Sequence, residues 1–183
     1  MAWTAPMTAV SGSVFTAAQF NQMIRDNLNE TAPAKVTSAG QYVVADGANS
    51  IVARGVVDGS DLNSGTTAST TFADLDGPAA VGPQVTLLTG TQALVFYHVQ
   101  AVNSSTGGAR ASVEVTGASS IATADNRSIA TFGSVDNGIG ASTTVFYTGG
   151  LALTPGLNTF TMKYRVSSGT GTFDDRRLIV MPL

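Results

Sequence analysis

The sequence predicts a mainly β protein, with an N-terminal helix and hairpin forming an anchor and an antiparallel, jelly-roll-like β-sandwich of about eight strands following it. Three observations predict this. Apolar and polar residues alternate in short runs at near-regular spacing from Ser69 to Leu183, with turn residues between the runs. Helical periodicity is convincing in one stretch, Ser13–Glu30. Finally, 43% of the chain is hydrophobic, only 11% is charged and there are 20 glycines, so polarity rests on hydroxyls and turns while enough apolar surface remains to order a core.

In chain order, residues 1–12 form an irregular arm in which Trp3, Pro6, Met7 and Val10 are apolar without a period. Trp3 either inserts in a pocket or folds back on the helix that follows, since its large area is costly to leave wet. Thr16 and Gln19 have the spacing of a capping box, and Phe15 and Phe20 flank the cap as a hydrophobic staple does. Phe20, Met23, Ile24 and Leu28 then repeat at three- and four-residue intervals, giving one apolar face. So short a helix is marginal alone, so that face needs a partner: its own chain, another copy or a larger body. Pro33 stops it.

Gln41–Ala45 and Ser50–Arg54 read as a hairpin around Asp46-Gly47-Ala48-Asn49, with Tyr42, Val43 and Ile51 among its apolar positions. Two strands need company to be stable. Residues 58–68, with Gly59, Asp61, Asn63 and Gly65, read as a linker. The expected organisation is thus an anchor and oligomerisation module at 1–57, a linker at 58–68 and a head domain at 69–183. In the head, strands are expected at 69–75, 84–89, 93–102, 110–116, 127–132, 142–148, 158–166 and 172–181. Phe160, Met162, Tyr164 and Val166 face one way, against Thr161, Lys163 and Arg165. A seven-stranded immunoglobulin-like sandwich is the alternative.

The chemistry-bearing residues point away from catalysis. His98 is the sole histidine and lies within an apolar strand, so a multi-histidine metal site is excluded and a structural role is expected. The acidic segments at Asp58–Gly65 and Asp74–Gly77 lack EF-hand spacing and read as Asx turns. Asp174 and Asp175 are adjacent on a strand and diverge, which favours ion pairing over paired-carboxylate hydrolysis. No cofactor is expected. A net charge of -3 without a basic stripe argues against nucleic acid, and neither a signal peptide nor a membrane-inserting run is recognised. With no cysteine, disulfides and thiolate sites are excluded.

Trp3, Pro6 and the core Thr16-Ala17-Ala18-x-Phe20-Asn21 followed by Arg25-Asp26-Asn27-Leu28 together resemble the start of short structural proteins of tailed phages that infect actinobacteria. Ala32-Pro33-Ala34-Lys35, Gly47-Ala48-Asn49-Ser50-Ile51 and the ending Arg176-Arg177-Leu178-Ile179-Val180-Met181-Pro182-Leu183 are similar to the later parts of those proteins. The resemblance implies a non-enzymatic virion component of the minor tail, tail-fibre, head-fibre or capsid decoration kind, made in the host cytoplasm and carried on the particle surface. A homotrimer bound to the major capsid protein or to a tail protein is the expectation, because shared burial of a one-faced helix and a small hairpin favours symmetric assembly. Trp3, Phe15, Phe20, Met23, Ile24, Leu28, Tyr42, Val43 and Ile51 are the expected interface. The alternative is a short tail fibre whose sandwich binds host cell-surface glycan, for which Tyr147 and Phe173 are the expected loop aromatics.

Overall fold

Thr16 opens the first helix as its spacing from Gln19 predicts. Its Oγ1 accepts from the Gln19 N–H at 3.2 Å, and Gln19 Oε1 accepts from the Thr16 N–H at 3.0 Å, the reciprocal pair of a capping box. The Phe15 and Phe20 rings close the staple edge to face, 6.0 Å between centroids. This computed structural model describes residues 4–5, 7–8, 10–77, 80–132 and 138–183, so Trp3 and Pro6 lie outside the described residues. It divides into two compact units, residues 1–56 with Leu183 and residues 57–182.

In the first unit, helix α1 (Ala17–Phe20) widens into a π-helical stretch at Asn21–Asp26 and closes at Asn27 and Leu28. The helix is therefore shorter than Ser13–Glu30: the cap fixes its start, and at its end the Glu30 N–H bonds the Asn27 carbonyl only three residues back. Pro33 cannot continue that helix but is accepted in the first turn of the short α2 (Ala32–Lys35). Strands β1 (Gln41–Gly47) and β2 (Ser50–Gly55) form the antiparallel hairpin. Gly47 pairs with Ser50 beyond a bulge after Ala45, and Asn49, at φ 55°, takes the left-handed turn position.

The second unit contains β3 (Val57–Asp61), β4 (Gly65–Thr67), β5 (Gln84–Thr89), β6 (Ala93–Asn103), β7 (Gly108–Gly117), β8 (Ile129–Phe132), β9 (Ile139–Tyr147), β10 (Gly156–Val166) and β11 (Gly171–Pro182). One sheet runs β3-β11-β6-β9, with β4 also on β11, and the other β5-β10-β7-β8, all neighbours antiparallel. The pairs nest: β3 with β11, β5 with β10, β6 with β9 and β7 with β8. A hairpin folded over in this way is the jelly roll.

Two expectations need correction. Residues 58–68 are not a linker, because β3 and β4 both pair with β11. Residues 69–75 are not a strand but a loop held to β10 by the isolated bridge of Ala73 with Tyr164, by the Val166 N–H on the Ser69 carbonyl at 2.8 Å and by Lys163 Nζ on Asp74 at 2.8 Å. β3 hides from a sequence reading because it is an edge strand without an apolar run. Its Gly59 answers to space instead: a Cβ there would stand 2.9 Å from the Gln84 carbonyl oxygen on β5.

The core lies between the sheets. Phe160, Met162, Tyr164 and Val166 of β10 are wholly buried, as are Ala93, Val95 and Val99 of β6 and Leu178 and Val180 of β11. At one end Asn158, also wholly buried, accepts from the Ser119 N–H at 2.7 Å and donates to Thr89 Oγ1 at 2.7 Å and the Thr154 carbonyl at 3.0 Å. Its amide ties two loops to β5 with its own polar atoms satisfied.

Candidate functional site

The described residues of the N-terminal unit include apolar side chains but bury none of them. Among the described residues of 1–56 the buried side chains are Asn27 and Glu30, both polar. Asn27 behaves like a strand partner for the arm, its Oδ1 accepting from the Thr4 N–H at 2.9 Å and its Nδ2 donating to the Thr4 carbonyl at 3.1 Å. Glu30 pairs with Lys35 Nζ at 3.0 Å. Phe15 and Phe20 are each 48% exposed, Ile24 42% and Leu28 60%, while Met23 is half-buried. On the hairpin Tyr42, Val43 and Ile51 are half-buried. Register sets Tyr42 opposite Arg54 on one face, and Val43 and Ile51 on the other with Ala53 and Ala45. Neither face is sealed.

Tyr147 and Phe173, expected in ligand-binding loops, are corrected to core residues. Both occupy inward strand positions and are buried, Tyr147 packing edge to face on Phe160 and Phe173 lying 4.9 Å from the Tyr164 ring. Burial pushes the Tyr147 hydroxyl up to about 12 against the pull of the Arg127 guanidinium. Neither side chain reaches a ligand from outside.

The outward aromatic residues are others. Alternation along β6 sends Tyr97 and Val99 inward and leaves Phe96 and His98 on the outer face of the sheet. His98 pairs across strands with Arg177 of β11 and Ser142 of β9, and Phe96 with Ile179 and Thr144. These two rungs line a shallow depression of about 350 Å3. His98 Nδ1 is 2.8 Å from Ser142 Oγ, and its ring lies over Gly140, where a Cβ would stand 3.3 Å from Cε1. His98 is thus partly buried and hydrogen-bonded within the apolar strand in which the sequence places it. Its neighbours on β9 and β11 needed the strand order, which single-strand alternation does not contain.

A β-bulge on β11 explains Arg176. Between the pairs Asp174–Gln100 and Arg177–His98 the strand gains one residue, with Asp175 at φ 45°, and Arg176 is turned inward and fully buried. Its Nη2 donates to Asp61 Oδ2 at 2.6 Å and to the Asn63 carbonyl at 3.0 Å, and its guanidinium lies 5.6 Å from the Tyr164 ring centroid. Asp61 Oδ1 accepts from the Asn63 N–H at 2.9 Å, the Asx turn read from the sequence. Desolvation raises the Asp61 pKa, but the Asn63 N–H and the Arg176 guanidinium outweigh it and hold the carboxyl below its ordinary range.

Among the described residues no three His, Cys, Asp or Glu side chains gather as a metal site, and no helix is long and apolar enough to cross a membrane. No protein-family model matches the chain, and no curated protein sequence matches it.

Proposed function

We propose that the chain is a non-enzymatic virion structural protein of a tailed phage, a trimeric capsid decoration or head-fibre protein that attaches through its N-terminal segment and displays the jelly roll on the particle surface. The observation that carries this reading is the first unit's lack of any buried apolar side chain among its described residues, although Phe15, Phe20, Ile24 and Leu28 line its helical stretch. A segment of that kind gains its interior from symmetry mates or from a particle protein. The Thr16–Asn21 and Arg25–Leu28 motifs that resemble phage structural proteins lie in the same stretch. The second unit holds its own core, a buried apolar cluster running from Leu75 to Val180. His98 is bonded to a serine, and no carboxylate among the described residues orients its imidazole, which favours a structural over a catalytic role.

Light scattering of the full chain tests the reading. The expected mass is three times that of the 18.6 kDa chain, and Ile24→Asp yields a species of one third the mass with unchanged β circular dichroism. Removing residues 1–30 leaves a folded head that no longer joins the particle. Incorporation of that truncated protein at normal occupancy overturns the proposal.

A further inference from the structure

Across the sheet β3-β11-β6-β9 the outer face carries the rungs Ser60–Arg177–His98–Ser142 and Asp58–Ile179–Phe96–Thr144, and we propose that their β11-β6-β9 part, with the Asp58 carboxylate at its β3 edge, binds an acidic saccharide through Arg177. The inference stands whether or not the chain is a virion protein. Three strands and two rungs define a floor roughly 10 Å by 7 Å, the footprint of a sugar ring or two, and the depression above it holds about 350 Å3. Phe96, 39% exposed and in mid-sheet, offers an aromatic face of the kind on which the C–H side of a pyranose packs, with Ile179 extending it. Ser142 and Thr144, outward neighbours on β9, place hydroxyls along the opposite edge.

Charge selects the ligand. Arg177 is exposed and makes no hydrogen bond or ion pair among the described residues, unlike Arg110, Arg165 and Arg176, which hold Ser128, Asp125 and Asp61 respectively. A guanidinium free of an internal partner presents a planar fork matched to a carboxylate. His98 is steadied by Ser142 at 2.8 Å and leans over Gly140, a position where a Cβ would crowd it, so the ring edge is fixed beside the polar rung. A neutral sugar offers Arg177 only hydroxyl acceptors, whereas a uronic acid offers a carboxylate and the stronger, charge-assisted pair.

Calorimetric titration of the full chain with trigalacturonic acid, against its methyl ester as the uncharged control, tests the site. The acid is expected to bind at least about tenfold more tightly than the ester, because a charge-assisted pair is lost with the charge. Arg177→Gln should abolish that difference, while Phe96→Ala should weaken both ligands. Both variants lie on the outer face, and unchanged circular dichroism confirms their fold. Equal affinity for acid and ester, no binding of either at millimolar concentration, or an Arg177→Gln variant that binds as the wild type overturns the proposal. Loss of the trimer in Phe96→Ala without any saccharide binding does so too, and assigns the face to a protein contact.

Discussion

Arg176 Nη2 lies 2.6 Å from Asp61 Oδ2, a bond between the first and last strands of the head in which the arginine is wholly buried and the carboxylate partly exposed. Removing the acid strands a buried cation, whereas replacing the arginine with an apolar residue of similar length removes the cost of burying it. Asp61→Ala should therefore destabilise the head by about 3 kcal/mol, and Arg176→Met by clearly less. Urea unfolding of both variants measures the order, and the reverse order would sink this account of the pair.

The same pair makes stability pH-dependent. The Asp61 pKa is lower folded than unfolded, so its contribution is complete above the unfolded value of about 3.9 and is lost as pH falls through the folded value. Unfolding free energy should thus decline on acidification below about pH 4 more steeply in the wild type than in Asp61→Asn. Parallel curves would show that Asp61 contributes nothing to the slope.

Gly59 is required by space. Gly59→Ala puts a methyl group 2.9 Å from the Gln84 carbonyl oxygen and forces β3 away from β5. A loss of about 1–3 kcal/mol is expected. Thermal unfolding reads it, and a variant as stable as the wild type would contradict the close approach.

Thr16→Ala removes the acceptor for the Gln19 N–H and should cost about 0.5–2 kcal/mol of local helix stability. Amide exchange at Gln19 and Phe20 should speed up while exchange in β6 and β10 stays unchanged. Uniform acceleration throughout the chain would instead mean that the helix and the jelly roll unfold together.

What was legible in the sequence is what local physics controls. The capping box and staple around Thr16 involve atoms three to five residues apart, and the inward set on β10 follows from a two-residue period. The register that puts Arg177 and Ser142 on either side of His98 comes from strands far apart in the chain, which no window contains. β3 carries no such signal, because an edge strand need not be apolar. Tyr147 and Phe173 each stand within a few residues of a turn signal, which reads as a loop, yet inward alternation carries both into the core.

The nested order of strands also dictates when the head can fold. β3, the first strand of the sandwich, has β11, the last, as its ladder partner, and the pair β5 with β10 encloses everything between them. Pairings of such long separation carry a high loop-closure cost and form slowly. During synthesis β3 waits for its partner until the twelve residues of β11, Gly171–Pro182, have left the exit tunnel. The local contacts of the helix and the β1–β2 hairpin are available while β11 is still unmade, so the jelly roll closes late, once β11 is free to pair.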